Sequence, residues 1–199
     1  IVGRCANRIA GGRARIGGRN FQLDLNENGR THLHGGSAGF FARDWTVERR
    51  TPDSILLSLV SPDGDQGYPG EVRASCRYRV EPRRLVVELE ARTDRETLVN
   101  LAAHPYFNLD GGGSVLGHRL RIAADAFTPV DADNIPTGEI RAVSGSRLDF
   151  RELRPIRREG EPCEGHDHNF MLAERPRTAP AFAARLEAAS SGVAMEMWP

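Results

Sequence analysis

The sequence contains no lysine, so each of its 27 basic side chains is an arginine. An equal number of acidic residues, 27, brings the formal net charge at neutral pH to zero. Because a balanced chain creates no broad basic field, we expect no nucleic-acid partner and no membrane partner. We attribute the exclusive use of arginine to a GC-rich genome, since arginine and lysine serve equally well on most solvated surfaces.

Cysteine is also scarce. Cys5, Cys76 and Cys163 are far apart and include no Cys-x-x-Cys pair, so the sequence indicates neither a disulfide framework nor a thiolate zinc site. A reducing cytoplasm is therefore the expected location. No run of about 18 apolar residues is present, and we expect no membrane-spanning helix. The sequence does not begin with methionine, which leaves a preceding signal peptide open.

Linkers and helical patterns are missing too. No proline- or serine-rich stretch divides the 199 residues, so we expect one domain spanning residues 1–199. The sequence stops just after an apolar alternation, and we expect this domain to be incomplete at both termini. Short alternating segments, separated by turn signals such as SPDGDQGYPG and DGGG, predict many strands without a βαβ rhythm. This pattern is typical of an all-β fold, a large antiparallel β-sandwich.

Two of these segments have the clearest alternation. EVRASCRYRV at residues 71–80 and LVVELEA at 85–91 flank the turn-like EPRR, which predicts an antiparallel hairpin over residues 71–92. Further strands are predicted at NFQLDL, DWTVE, SILLSLV, NFMLAE and VAMEMW. The segment AFAARLEAA near residue 180 is partly helical in composition, but its alternation makes a strand at least as consistent with the sequence.

The run LVNLAAHPYFNLDGGG at residues 98–113 carries the strongest functional pattern. With the two-residue period of a strand, one face is entirely apolar: Val99, Leu101, Ala103, Pro105, Phe107 and Leu109. The opposite face consists of Asn100, Ala102, His104, Tyr106 and Asn108. Polar groups need partners when buried, so this second face is better explained by a cleft than by core packing. His104 is therefore a candidate for acid–base chemistry near neutral pH.

Two glycine-rich segments supply further candidates. THLHGGSAGF places His32 and His34 before glycines that would let a ligand approach the backbone closely, and a surface turn explains them equally well. GRCANRIAGGR offers Arg4, Asn7 and Arg8, whose donors suit an oxygen-rich ligand. In a chain so rich in arginine, the local sequence alone favours a solvated turn for this second segment.

A third segment, EGHDHNF, is dense in polar side chains. Alternation places Asp167 and Asn169 on one side of a strand and His166 and His168 on the other. Each of the two His-x-His pairs in the chain could offer imidazoles to a metal ion. This spacing is common by chance and no third ligand is identifiable, so we expect no metal site.

Seven motifs, taken in order, resemble those of the aldose 1-epimerase family, also called galactose mutarotases. They are GRCANRIAGG, LHGG followed by GF and Trp45, SPDGDQGYPG, TLVNLAAHPYFNL, PVDADNIPTGEI, the DFR at 149–151, and GHDHNF. The resemblance implies a large antiparallel β-sandwich whose concave face binds a hexose, with no metal or organic cofactor. It also implies an isomerase that interconverts α and β anomers of a free sugar such as galactose or glucose.

The resemblance assigns roles to five residues. His104 matches the general acid that protonates the ring oxygen, and His34 matches a second histidine that hydrogen-bonds the sugar near that oxygen. Asn7 and Arg8 match a substrate-binding pair, and Asp167 matches a carboxylate that accepts hydrogen bonds from sugar hydroxyls. We therefore expect a small-molecule sugar partner, and a monomer or a homodimer.

One residue of the family pattern has no counterpart. The family's general base is a glutamate beyond the strand that MEMW resembles, and Glu196 within that strand is not assigned its role. If residues 1–199 were the whole polypeptide, we would expect weak sugar binding and poor catalysis. Two alternatives stay open: a non-catalytic sugar-binding protein of the same fold, and an epimerase of phosphorylated hexoses.

Overall fold

The alternating residues 71–92 form the predicted hairpin. In the computed structural model, which describes residues 1–160 and 165–199, strand Val72–Glu81 pairs antiparallel with strand Arg84–Thr93 across a two-residue turn. The apolar side chains in the first half of the hairpin are buried: Val72, Ala74 and Cys76. The hairpin prediction is therefore confirmed.

The chain divides into two compact units, residues 1–105 and 106–199, which are described separately below. Within residues 1–160 and 165–199, all paired strands are antiparallel. The helical elements of the described residues are two 3-10 turns, Phe40–Ala42 and Asp65–Gly67. These observations confirm the all-β, antiparallel class. Within the described parts of the chain, no helix has the length and apolar composition needed to cross a bilayer.

The first unit contains eight strands. They are β1 (Arg8–Ala10), β2 (Arg13–Ile16), β3 (Arg19–Gln22), β4 (Thr31–Leu33), β5 (Thr46–Arg50), β6 (Ser54–Ser61), β7 (Val72–Glu81) and β8 (Arg84–Thr93). β5 to β8 form one sheet in chain order, while β1 pairs with β4 and β2 with β3. The pairing of β1 with β4 brings the segments around Asn7 and His34 side by side.

A small apolar core supports the first unit. Four buried side chains from the 3-10 turn at 40–42 and from strands β6 and β7 pack together: Phe40, Leu59, Val72 and Ala74. Trp45 and Leu101 pack against this cluster, and the indole N–H of Trp45 donates to the Phe40 carbonyl at 3.0 Å. The core therefore joins the loop after His34 to the segment that leads to His104.

The described residues of the second unit contain seven strands of two to four residues each. They are β9 (Arg119–Ile122), β10 (Ala126–Thr128), β11 (Arg141–Ala142), β12 (Arg154–Pro155), β13 (Asn169–Phe170), β14 (Ala184–Glu187) and β15 (Ala194–Met197). β10 lies between β11 and β13, and the other sheet has the order β12-β9-β14-β15. The ambiguous segment AFAARLEAA thus contains a strand, β14. Phe127, Val143 and Leu148 form the core of this unit, with Phe170 packed against them.

The predicted strand at residues 98–109 is wrong for most of its length. Only Asn100 and Ala102 make strand-like pairs, through single bridges to Cys5 and Val2. The predicted apolar face is buried only in part, since Leu101 packs against the core of the first unit whereas Phe107 is 41% exposed. On the other face, Tyr106 is 91% exposed. Pro105 has no backbone N–H to donate and cannot extend a strand ladder, which agrees with the end of pairing at this point.

Candidate active site

Asn7 and His34 hold each other through two hydrogen bonds. The backbone N–H of Asn7 donates to Nδ1 of His34 at 3.0 Å, and the backbone N–H of His34 donates to the Asn7 carbonyl at 3.1 Å. Because Nδ1 accepts a hydrogen bond, the neutral imidazole carries its hydrogen on Nε2. The local backbone therefore fixes the orientation of the His34 ring and makes its other nitrogen a donor.

Both residues of this pair have left-handed backbone conformations, with φ of 65° at Asn7 and 54° at His34. Asparagine tolerates this region better than most residues, because its short polar side chain can bond locally. Gly35 follows with φ of 92°, and a Cβ at this position would overlap the carbonyl oxygen of Gly3. The turn that presents His34 therefore needs the glycine that the LHGG motif supplies.

His104 lies beside His34, although it comes from the C-terminal end of the first unit. The backbone of Asn100 and Ala102 exchanges hydrogen bonds with residues 2–6, so His104 comes two residues after a short paired segment. Its ring centroid lies 5.2 Å from that of His34, with the ring planes nearly perpendicular at 80°. The His104 side chain is exposed. An exposed histidine beside a fixed histidine donor can transfer a proton to a ligand bound there.

Arg8 completes this group as the first residue of β1. Its guanidinium makes two parallel hydrogen bonds with Glu27, from Nε to Oε2 at 2.8 Å and from Nη2 to Oε1 at 2.7 Å. The remaining nitrogen, Nη1, lies 3.5 Å from the side-chain oxygen of Asn7. The structure thus brings Asn7, Arg8, His34 and His104 together within the first unit.

His32 is a structural residue, and the two histidines of its His-x-His pair do not share a face. His32 is fully buried, whereas the ring of His34 contacts His104. Nδ1 of His32 bonds the Asp24 carbonyl at 2.7 Å, and Nε2 bonds the hydroxyl of Tyr68 at 2.6 Å. Burial lowers the pKa of His32, which favours the neutral ring. The left-handed turn at His34 breaks the strand periodicity on which a common face depends.

Arg4 is neither a ligand-binding arginine nor part of a solvated turn. Its side chain is 1% exposed, and its nitrogens donate to the Ser61 hydroxyl and to the carbonyls of Ser61, Pro62 and Pro69. Burial lowers the pKa of Arg4. A buried guanidinium surrounded by carbonyl oxygens fastens the SPDGDQGYPG loop to the N-terminal segment.

Asp167 belongs to the second unit, where the predicted alternation is confirmed. Asp167 and Asn169 are exposed, while His166 and His168 are half-buried. The ring of His166 packs on Phe150 at 5.2 Å and that of His168 on Phe127 at 5.7 Å. Burial lowers the pKa of His168, and the charge of Arg147 adds to this effect. The alternation therefore leaves Asp167 accessible to solvent.

Other polar clusters do not form metal sites in the described residues. Across residues 1–160 and 165–199, no three histidine, cysteine, aspartate or glutamate side chains converge as ligands. Cys5 and Cys76 are free thiols, and burial raises the pKa of each. Cys163 lies outside the described residues.

Proteins of a known family resemble this chain along its whole length. The sequence profile of the family described as aldose 1-epimerase matches residues 1–199. The chain belongs to the aldose 1-epimerase family. Galactose mutarotase of Sus scrofa is 42% identical over 202 residues, which cover 100% of this chain and 58% of that protein. Aldose 1-epimerase of Escherichia coli is 38% identical, covering 86% of this chain and 51% of the enzyme.

A solved structure agrees with the family assignment. The crystal structure of an aldose epimerase homologue from C. elegans superposes with a TM-score of 0.89 at 32% identity, covering 98% of this chain and 60% of that one. The chain thus spans between 51% and 60% of the length of these relatives. The resemblance seen in the seven motifs and the predicted fold class are both confirmed.

Two neighbours of the site could not be selected from the sequence. Glu27 lies in NENGR, where a turn glutamate in a chain with 27 acidic residues has no distinguishing pattern. Thr31 is buried and donates to Glu27 at 2.6 Å. Thr31 lies near the site because β1 and β4 pair antiparallel and place residue 31 opposite residue 10. No local sequence pattern indicates this pairing.

Proposed function

We propose that this protein is an aldose 1-epimerase that interconverts the α and β anomers of a free hexose. The observation that carries the proposal is the juxtaposition of His34 and His104, whose rings lie 5.2 Å apart in a chain of this family. Galactose is the sugar named in the relatives at about 40% identity, and it is the first substrate to test, with glucose second. Because the chain spans 58% of those relatives, the proposal concerns the full-length protein.

Ring opening needs two proton transfers on different oxygen atoms. As the bond between C1 and the ring oxygen breaks, the ring oxygen gains a proton and the anomeric hydroxyl loses one. His104 delivers the first proton as a general acid, and the Nε2–H of His34 donates a hydrogen bond near the same oxygen. We assign no residue of this chain to the base that takes the second proton. A positioned acid of this kind contributes about 10²- to 10⁴-fold in rate.

Three further residues bind the sugar in this proposal. Asn7 and Arg8 donate hydrogen bonds to hydroxyl oxygens, and the exposed carboxylate of Asp167 accepts hydrogen bonds from other hydroxyls. Arginine suits this task because its donors are held in a rigid plane and stay charged at all relevant pH values. The side chain of Arg8 is 14% exposed, so its orientation is set by the protein before a sugar binds.

Polarimetry tests the proposal directly. Freshly dissolved α-D-galactose and α-D-glucose relax slowly to their anomeric equilibrium, and the full-length protein should accelerate this relaxation. His104→Gln keeps the size and hydrogen bonding of the side chain but cannot supply a proton, so kcat should fall about 10²- to 10⁴-fold. Glu139→Gln, a conservative change at an exposed site of the second unit, serves as the control and should keep full activity.

The outcomes separate the competing functions. No acceleration by the full-length protein with any hexose would contradict the proposal. Saturable galactose binding without acceleration would instead favour a non-catalytic sugar-binding protein. Acceleration only with hexose phosphates would favour an epimerase of phosphorylated sugars.

We also propose a cytoplasmic location and a monomeric or homodimeric state. The free thiols of Cys5 and Cys76 support a reducing compartment, since disulfides are the usual fate of paired cysteines in oxidising ones. Light scattering coupled to size-exclusion chromatography would measure the oligomeric state.

A further inference from the structure

Glu27 makes an unusually complete set of polar contacts beside the proposed sugar site. Its two carboxylate oxygens accept the parallel bonds from Nε and Nη2 of Arg8, at 2.8 and 2.7 Å. Oε2 also accepts a hydrogen bond from the hydroxyl of Thr31 at 2.6 Å. Two parallel bonds fix the plane of a guanidinium as well as its position.

The backbone of Glu27 is also fixed by hydrogen bonds. The N–H of Glu27 donates to the Thr31 carbonyl, and the N–H of Thr31 donates to the Glu27 carbonyl, both at 3.2 Å. Thr31 in turn opens β4, which pairs with the strand that Arg8 opens. Arg8, the donor, and Glu27, the acceptor, are therefore connected through the hydrogen-bonded backbones of β1, β4 and the turn before β4.

The carboxylate of Glu27 is held in its ionised form. The hydrogen bond from Arg8 is the main cause that lowers the pKa of Glu27, and the hydrogen bond from Thr31 acts in the same direction. The side chains of Arg8 and Glu27 are 14% and 22% exposed, so water competes little for the contact. The pair is consequently intact at neutral pH.

An ordinary surface ion pair contributes little to folding stability. The Arg8–Glu27 pair differs because Arg8 also contacts Asn7, a residue beside the proposed reaction centre. The third nitrogen of Arg8 lies 3.5 Å from the side-chain oxygen of Asn7, and the backbone N–H of Asn7 fixes the ring of His34. The contacts thus run in sequence from Glu27 through Arg8 and Asn7 to His34.

We propose that Glu27, supported by Thr31, is a positioning residue that sets the orientation of the Arg8 guanidinium for sugar binding beside Asn7. This inference rests on the proposed function for its substrate, a free hexose. Since Arg8 would bind a hydroxyl that does not react, its misorientation weakens the ground state and the transition state equally. The expected signature is a change in KM rather than in kcat.

Kinetics of the full-length protein provide the first test. Glu27→Gln removes the charge and one of the two acceptors, and KM for galactose should rise about 5- to 50-fold while kcat changes less than about 3-fold. Glu27→Asp keeps the charge on a shorter side chain and should give a smaller rise. Glu139→Gln is the matched control, because Glu139 makes the same two bonds with Arg141, at 2.8 and 2.7 Å. Its KM should equal that of the wild type.

A second measurement is independent of catalysis. The Nε–H resonance of Arg8, assigned by its loss in Arg8→Ala, should exchange slowly with solvent in the wild type and rapidly in Glu27→Gln. Titration with galactose by NMR gives the binding affinity of each variant even if no protein form accelerates mutarotation. In that case the proposed function fails, and the positioning role stands only if Glu27→Gln weakens binding and Glu139→Gln does not. Unchanged KM and unchanged galactose affinity in folded Glu27→Gln and Glu27→Asp would overturn the inference.

Discussion

At the scale of single residues, protonation of His32 is expected to lower the free energy of unfolding. The Asp24 carbonyl can only accept, so Nδ1 of His32 donates to it and Nε2 accepts from the Tyr68 hydroxyl. Protonation of the ring would place a positive charge at this fully buried position. Burial lowers the pKa of His32 below the value of about 6.5 that applies in the unfolded chain.

The free energy of unfolding should therefore fall as the pH decreases through about 6.5, because the unfolded state then binds a proton that the folded state refuses. The contribution is fully present above the unfolded pKa. Urea denaturation of the full-length protein at a series of pH values between about 7.5 and 5, the range in which histidine titrates, would measure how the free energy of unfolding changes with pH. His32→Gln should flatten the slope, and His104→Gln, which changes an exposed histidine, should retain it. An equally steep slope in His32→Gln would contradict the assignment.

Single residues also show what sequence can and cannot predict about the site. Ordered motifs pointed to Asn7, Arg8, His34 and His104, and the structure brings these four together. The periodic pattern alone would have grouped His34 with His32, since it cannot register a left-handed turn. The contact between Glu27 and Arg8 could not be predicted from the sequence, because it depends on the strand pairing that brings the turn containing Glu27 next to Arg8.

At the scale of secondary-structure elements, the turn of the β7–β8 hairpin carries backbone strain. Arg83 has φ of 63°, a region that costs an L-residue about 1–2 kcal/mol. The ring of Pro82 fixes its own φ, and the combination is that of a type II turn, in which glycine is preferred at the second central position.

Arg83→Gly should raise the free energy of unfolding by about 0.5–1 kcal/mol, since relief of strain exceeds the added freedom of the unfolded chain. Urea denaturation of the full-length protein would measure the change. Arg84→Gly, one position later in an exposed strand residue, should instead lower it by about 0.5–1 kcal/mol. Equal destabilisation by both substitutions would show that Arg83 is not strained.

Strict alternation predicted a strand correctly only where the segment has a pairing partner. The hairpin over 71–92 and the strand within AFAARLEAA follow from local pattern. The run at 98–109 alternates just as regularly, yet only residues 100 and 102 find partners. Alternation describes the surface that a strand would have, whereas the ladder requires a neighbouring backbone with available N–H and carbonyl groups.

At the scale of the whole molecule, the number of cooperative domains is still a prediction. The division of the chain into two compact units falls between residues 105 and 106, where the sequence has no flexible linker of the kind that usually separates domains. We therefore expect residues 1–199 to unfold as one domain. Hydrogen exchange of the full-length protein in increasing urea, followed by mass spectrometry, should give coincident midpoints for peptides from β6–β7 and from β9 and β14. Well-separated midpoints would indicate two domains.

The distances along the chain between the site residues have a consequence for the order of folding. Asn7 and His34 are separated by 27 residues, and Arg8 and Glu27 lie between these limits. His104 comes 70 residues after His34, so a much longer loop must close before their rings meet. Contacts between residues close in sequence form faster than distant ones, because less chain entropy is lost in reaching them. We therefore expect the cluster around Arg8, which we propose binds the sugar, to assemble before the proposed acid joins it.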